Sequence, residues 1–229
     1  YHQLFLSPAT PQSGHWYTCM FGHCNDFIID TVYRQMQQLD QVMFSDFTHE
    51  PAIKLSEELI KILPKGQNRV FFNDNGSTAV EAGIKMALQY YFNLEEKRNT
   101  FIAFENGFHG DTFGAMAVSG LSVYNGPFED FLMDVQRIPT PNGENLQEIL
   151  ATLKKYSENY KIAGFIYEPI IQGAAGMKIH DTKGLNEILN FCKTNDILTI
   201  ADEVMTGFGK TGRNFASDFI DTKPDIICL

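Results

Sequence analysis

The sequence is poor in basic residues and in long hydrophobic runs, and each shortage excludes a class of protein. Its 229 residues hold 18 lysines and arginines against 28 aspartates and glutamates, a formal net charge of −10 at pH 7. A chain this acidic is disfavoured as a partner of nucleic acid or of an anionic membrane. No apolar run approaches the ~20 residues that a membrane-spanning helix needs.

Cysteine is scarce too, with four residues at positions 19, 24, 192 and 228 whose spacing matches no disulfide framework. We therefore expect reduced thiols and a cytoplasmic protein. Residues 15–24 hold histidines and cysteines, the usual zinc ligands, but in no standard spacing, so a pocket wall or core packing is favoured over a metal. The chain starts at Tyr1 without a signal-like segment and stops at Leu229 inside an apolar run, and we expect both ends to be cut.

Two common ligand-binding motifs are not found where their chemistry needs them. Residues 207–212 have the Gly-x-Gly-x-x-Gly spacing, but they do not directly follow the apolar run at 197–201, which makes a dinucleotide a poor fit. They also lack the P-loop spacing. Without a Gly-x-Ser-x-Gly elbow, a serine hydrolase has no support either.

Short apolar runs alternate with amphipathic stretches along the chain. The runs predict buried strands at 70–73, 101–104, 135–138, 163–168, 197–201 and 225–229. Helical spacing between and before them predicts helices, the first over 27–43 and another starting near Pro51. This order predicts an α/β fold with a mostly parallel sheet covered by helices on both faces. Polar, glycine-rich turns follow the strands, so we expect them on one rim of the sheet.

Three of these turns carry groups suited to a ligand. Asp202 ends a buried run, where a carboxylate is costly without a cationic partner. Gly76 and Ser77 lie in a turn just before a helix, where free N–H groups and the helix dipole attract a phosphate. Phe108 stands beside glycine and can lie flat on a planar ligand. Taken singly, Asp202 is more typical of an acid that caps a turn, Gly76 and Ser77 are equally typical of a plain helix cap, and Phe108 is open to interpretation as a core aromatic.

Two neighbours have open interpretations. Thr78 and Glu81 have capping-box spacing, which predicts that Thr78 starts the helix. His109 is either a general base or a structural histidine. Together, the phosphate cradle, the aromatic plate and the carboxylate suit a flat, phosphorylated ring that contains nitrogen. A carboxylate keeps a pyridine nitrogen protonated, and the protonated ring then stabilises a carbanion, as in pyridoxal phosphate chemistry.

Four motifs carry a resemblance to a known family: residues 74–81, 108–116, 168–173 and 201–209. In combination they resemble the class III aminotransferases, which are pyridoxal-phosphate enzymes of fold type I. The resemblance covers the chain from about residue 16 to residue 229. It implies the large domain of a fold-type-I transferase and pyridoxal 5′-phosphate as cofactor.

The resemblance assigns roles to the cofactor residues. It implies that Gly76 and Ser77 bind the cofactor phosphate and that Asp202 pairs with the pyridine nitrogen. Phe108 would stack on the ring, at a position where related enzymes of biotin synthesis usually have tyrosine. Asp202 is also the one residue of this chain for which a catalytic role is implied.

On the substrate side, Trp16 and Tyr17 match an aromatic pair that lines the substrate pocket. Glu168 and Gln172 match positions on the cofactor rim, without a defined role. The resemblance places the Schiff-base lysine beyond Leu229, and Lys210 is no substitute for it. We therefore expect these 229 residues to be inactive alone.

The resemblance also implies a domain organisation. Residues 1–50 would form an N-terminal segment, a loop plus a helix on the side of the substrate pocket. Residues 51–229 would be part of the large cofactor-binding domain, without its C-terminal remainder and the small domain. The complete protein would be a homodimer.

The motifs favour the biotin-pathway members of the class. These enzymes transfer an amino group from S-adenosylmethionine to 8-amino-7-oxononanoate. Two alternatives stay open: another class III aminotransferase that acts on ornithine, 4-aminobutyrate or another ω-amine, and a non-catalytic fragment that binds the cofactor.

Overall fold

The computed structural model describes residues 20–120 and 125–229. The chain divides into two compact units, Tyr1–Lys61 and Ile62–Leu229. The division by role that we predict at residues 50 and 51 stays a prediction. No helix in the described ranges is both long and apolar enough to cross a membrane.

In the first unit, the described residues form two helices, α1 (Asp26–Gln38) and α2 (Glu50–Ile62). The side chain of Asn25 caps α1 by accepting a hydrogen bond from the N–H of Ile28, at 3.2 Å. The helix is shorter than the 27–43 that the sequence predicted. It ends at Gln38 because Leu39 takes extended backbone angles (φ −163°, ψ 113°).

The second unit is built on a five-stranded parallel sheet with the order β2-β1-β3-β6-β7. Its strands are β1 (Thr100–Phe104), β2 (Val135–Ile138), β3 (Ile162–Tyr167), β6 (Leu198–Asp202) and β7 (Ile226–Cys228). Its helices are α3 (Gly76–Asn93), α4 (Phe113–Val118), α5 (Leu146–Asn159) and α6 (Thr182–Thr194), and a small antiparallel ribbon joins β4 (Ile171–Gln172) to β5 (Lys178–Ile179). The predicted α/β class is confirmed.

Both faces of the sheet are buried, as β1 illustrates. Successive residues of a strand point to opposite faces. Ile102 and Phe104 pack into a core with α5 and α6, whereas Phe101 and Ala103 pack into a second core with α3 and α4. Because all five residues of β1 are buried, the strand reads as an unbroken apolar run.

The order of the strands creates a crevice. From β1 the chain crosses to β2 on one side, and it then returns to β3 on the other side of β1. The turns that leave β1 and β3 therefore diverge, and ligands of open α/β sheets bind at such a point. We call the edge at which β1, β3 and β6 end the carboxyl rim.

The strand predicted at 70–73 is wrong. These residues form no strand, because no described strand supplies the ladder hydrogen bonds that define one. A local bond is present instead, from the side-chain amide of Asn73 to the carbonyl of Phe71, at 3.2 Å.

The predicted cap of α3 is also wrong. Asn75, not Thr78, precedes the helix, with extended backbone angles, and its Oδ1 accepts from the N–H of Thr78 at 3.0 Å. Thr78 lies inside the helix and accepts from the N–H of Asn75 in return, at 3.2 Å. Glu81 takes no part in this box. Its Oε1 accepts instead from the N–H groups of Gly114 and Ala115, at 2.6 and 3.4 Å.

Candidate active site

Asp202 occupies the last position of β6 and is buried. Its Oδ1 accepts from the N–H of Val204 at 3.1 Å, and its Oδ2 lies 2.7 Å from Nδ1 of His109. The cationic or donor partner that a buried carboxylate needs is therefore the histidine of the turn after β1. This contact joins the turn after β1 to the end of β6 at the carboxyl rim.

His109 is fixed on two sides. Its backbone N–H donates to Oγ of Ser119 at 2.9 Å, and the Ser119 hydroxyl donates to the carbonyl of Ala115 at 2.8 Å. The imidazole is fully buried, and because a carboxylate only accepts, the proton on Nδ1 points at Asp202. Its other nitrogen, Nε2, is buried and meets no hydrogen-bond partner among the described residues. A purely structural role for His109 therefore explains the hydrogen bond of Nδ1 but gives no partner to Nε2.

The start of α3 has the features of a phosphate site. The N–H groups of Gly76 and Ser77 have no acceptor among the described residues, as expected for the first turn of a helix. Oγ of Ser77 accepts from the N–H of Asp111 at 3.0 Å. Because that bond uses a lone pair, the Ser77 hydroxyl keeps its hydrogen for a further acceptor. Two backbone N–H groups and one O–H are thus available to an anion.

Glycine brings three turns into contact here. A Cβ on Gly76 would lie 2.9 Å from Cγ1 of Val204, two residues after Asp202. A Cβ on Gly110 would overlap the Ser77 hydroxyl, and its φ of +126° also disfavours other residues. The start of α3, with Gly76 and Ser77, therefore packs directly on the turns that carry Asp202 and His109.

Phe108 is 46% exposed, although His109 beside it is buried. Its backbone N–H donates to Oε2 of Glu168 at 3.2 Å. An aromatic ring that is half open on a fixed backbone suits a planar ligand. Its stacking role stays a prediction.

Glu168 and Gln172 are both buried in the turn after β3. Oε1 of Glu168 accepts from the N–H of Gly173 at 2.9 Å. Burial raises the pKa of the Glu168 carboxyl, and nearby His109 opposes this effect. The amide of Gln172 donates to the carbonyl of Glu105 at 2.9 Å, while its Oε1 has no partner among the described residues.

Some predicted residues are not part of this cluster. Trp16 and Tyr17 lie outside the described residues. Nζ of Lys210 lies 3.4 Å from the carbonyl of Gly207, and burial lowers its pKa. None of the described residues form a group of three or more histidines, cysteines and acids that could hold a metal.

Sequence reasoning missed Ser119, which fixes His109, and it missed the contact by which Glu81 ties α3 to α4. Neither contact leaves a local signal, because each partner lies 10 to 33 residues away along the chain. A serine or a glutamate in a helical pattern is otherwise typical of a solvated face or a cap.

The parallel sheet with helices on both faces is the fold of the pyridoxal-phosphate-dependent transferases of fold type I. The family model of the class III aminotransferases matches residues 12–229, and the chain belongs to this family. Class III aminotransferases use pyridoxal 5′-phosphate. The free donors of Gly76 and Ser77 and the paired carboxylate of Asp202 fit that cofactor.

Three relatives illustrate the similarity. Adenosylmethionine-8-amino-7-oxononanoate aminotransferase of Synechococcus elongatus is 42% identical over 222 residues, which cover 93% of this chain and 52% of the relative. The crystal structure of the aminotransferase with that name from Methanocaldococcus jannaschii has a TM-score of 0.84 and 35% identity, over 91% of this chain and 47% of that one. An omega transaminase from Pseudomonas jessenii, in complex with PMP, has a TM-score of 0.83 and 31% identity, over 94% and 51%. The chain spans about half the length of the curated relatives it matches.

Proposed function

We propose that the complete gene product transfers an amino group from S-adenosylmethionine to 8-amino-7-oxononanoate and forms 7,8-diaminononanoate, a step of biotin biosynthesis. Two similarities support this substrate pair, the named relative at 42% identity and the named crystal structure at 35%. One observation carries the proposed chemistry: the buried carboxylate of Asp202 is paired with His109 at a rim that also offers free anion donors.

Asp202 would hold the cofactor's ring nitrogen. When bound, pyridoxal phosphate supplies an electron sink that stabilises a carbanion. Asp202 serves this chemistry by keeping a proton on the ring nitrogen, since a carboxylate stabilises a protonated partner. His109 donates to Oδ2 and Val204 to Oδ1, so that the carboxylate is fixed in one orientation.

Gly76 and Ser77 would bind the phosphate through their N–H groups and the Ser77 hydroxyl. Phe108 would cover one face of the ring, because its side chain is open on a backbone held by Glu168. We further propose that Trp16 and Tyr17 line the substrate pocket. On the family resemblance we also propose a cytoplasmic homodimer.

A second function has its own support, namely another class III aminotransferase that uses ornithine, 4-aminobutyrate or another ω-amine. The omega transaminase neighbour has nearly the same TM-score, 0.83, as the biotin-type neighbour, 0.84. The cofactor residues alone do not separate the two functions, because both use the same ring chemistry.

Assays of the complete gene product with several amino donors distinguish the two functions. Each donor is supplied with 8-amino-7-oxononanoate, and the formation of 7,8-diaminononanoate is measured. We expect product with S-adenosylmethionine and none above background with ornithine or 4-aminobutyrate. Transfer from ornithine to a keto acid, with none from S-adenosylmethionine, would replace the first function by the second.

A further inference from the structure

The turn after Glu168 is strained. Ile170 has a φ of +70°, a left-handed value that β-branched residues rarely adopt. The N–H of Ile171 donates to the carbonyl of Pro169 at 2.8 Å, which closes a three-residue turn around Ile170. Strained turns persist only where the surrounding contacts hold them, and they cluster at functional sites.

This turn reverses the chain so that the Glu168 carboxylate reaches two backbone donors. Oε1 accepts from the N–H of Gly173 at 2.9 Å, and Oε2 accepts from the N–H of Phe108 at 3.2 Å. Glu168 is only 5% exposed. One buried carboxylate thus joins the turn after β3 to the turn that presents Phe108.

His180 stabilises the strained turn through two hydrogen bonds. Its Nε2 donates to the carbonyl of Glu168 at 3.0 Å, and its backbone N–H donates to the carbonyl of Ile170 at 2.9 Å. The ring packs edge-on against Phe104 of the core, with the ring centroids 5.4 Å apart. Burial lowers the pKa of His180 to about 4, so the imidazole is neutral at neutral pH, with its proton on the nitrogen that faces Glu168.

We propose that Glu168 is a positioning residue: its carboxylate, delivered by the strained turn at Ile170 and braced by His180, holds the backbone of Phe108 so that the ring can cover the cofactor. Glu168 acts through Phe108 and does not itself touch the reacting atoms. The inference rests on the proposed cofactor function of the carboxyl rim and adds a residue to it.

Two substitutions of Glu168 test the length of its side chain and its charge separately. Glu168→Gln keeps the size, but its NH2 group faces one of the two N–H donors, so one hydrogen bond is lost. Glu168→Asp keeps the charge and is one methylene too short to span both donors. Glu105→Gln is the matched control, because that side chain is exposed and makes no hydrogen bond among the described residues.

The readout is the binding of pyridoxamine 5′-phosphate to the apo form of the complete gene product, measured by calorimetry. This readout needs no substrate and no turnover. We expect both Glu168 variants to bind about two- to tenfold more weakly than wild type, and no more weakly than Phe108→Ala, because the loss acts through the ~0.5–1.5 kcal/mol of ring stacking. The control should bind as wild type does.

A double-mutant cycle tests whether Glu168 acts through Phe108. In a Phe108→Ala background, Glu168→Gln should cost little further affinity, because the ring that it positions is gone. A purely structural role predicts the same loss of affinity in both backgrounds and would overturn the inference. Wild-type affinity in both Glu168→Gln and Glu168→Asp would also overturn the inference. If wild-type protein does not bind pyridoxamine 5′-phosphate, the proposed function fails, and the inference fails with it.

Discussion

The two ends of the sheet in the second unit differ in whether their polar groups have hydrogen-bond partners. The amino rim, where β1, β3 and β6 begin, is closed by Arg98, which donates to the carbonyls of Asp196 and Ile162 at 2.7 and 3.4 Å. The guanidinium also stacks on Tyr91, with 4.1 Å to the ring centroid, and the Tyr91 hydroxyl donates to Asp196. The carbonyls of Asp196 and Ile162 at this rim are therefore satisfied.

The carboxyl rim, in contrast, keeps buried polar atoms without partners in the described chain. They include Nε2 of His109, Oε1 of Gln172 and Nδ1 of His180. Each such atom has a desolvation cost, and in native proteins such atoms call for a ligand, a water or a strained functional site. Buried polar atoms without a partner, together with the free N–H groups at the start of α3, thus distinguish the carboxyl rim from the amino rim.

The position of the cavity alone would suggest a site at the amino rim. A cavity of about 490 Å³ lies at the amino rim, next to Arg98 and Lys161. Among the residues that line it, no buried polar side-chain atom lacks a partner in the described part of the chain. We therefore place the site at the carboxyl rim.

The largest expected effect is at Asp202. In the complete gene product, Asp202→Asn should reduce turnover by about 10³-fold, because a neutral amide does not hold a proton on the ring nitrogen. Steady-state kinetics measure this. Asp196→Asn at the amino rim is the matched control, since only its backbone carbonyl is used. Equal turnover in both variants would abolish the distinction between the rims.

Ser77→Ala should weaken cofactor binding more than it slows the chemical step. A hydrogen bond to a charged group is worth about 1.5–3 kcal/mol, which corresponds to roughly 10- to 150-fold in affinity. Titration of the apoprotein with pyridoxamine 5′-phosphate measures the loss. Ser157→Ala, near the amino rim, should bind as wild type does, and an unchanged affinity in Ser77→Ala would identify Ser77 as a plain helix residue.

Arg98→Met should have the opposite pattern. It removes the guanidinium bonds to two carbonyls and the stacking on Tyr91, so the free energy of unfolding should fall by about 1–3 kcal/mol. Affinity for pyridoxamine 5′-phosphate should stay within about twofold of wild type, a change in binding free energy of at most ~0.4 kcal/mol. Chemical denaturation and calorimetry measure the two quantities. A large loss of affinity without a loss of stability would move the site to the amino rim.

The smallest effects are expected at Phe108. Phe108→Tyr should be tolerated, since it keeps the ring. Phe108→Ala should cost about 0.5–1.5 kcal/mol of cofactor binding, the range for aromatic stacking beyond burial. The same titration measures both variants. Should alanine bind the cofactor as well as phenylalanine does, the ring is only part of the protein surface.

The sequence predicted the strands of the sheet well because β1, β3 and β6 are buried on both faces and appear as short apolar runs. It failed at residues 70–73, because a strand exists only if a distant partner pairs with it. The start of α3 shows a local limit as well: Asn75 and Thr78 both suit a cap, and only the backbone angles distinguish them.

For the candidate site, glycine turns and the carboxylate of Asp202 gave local signals. The contacts that arrange them did not. The bond between His109 and Asp202 spans 93 residues, and the bond between Glu168 and Phe108 spans 60. Such pairs follow from the order of strands in the sheet, which residue patterns do not specify.

The most direct test is a crystal structure of the complete gene product with pyridoxamine 5′-phosphate. We predict the phosphate at the N–H groups of Gly76 and Ser77, the ring nitrogen facing Asp202, and Phe108 against one face of the ring. A phosphate bound in the amino-rim cavity, or a ring nitrogen turned away from Asp202, would contradict the account.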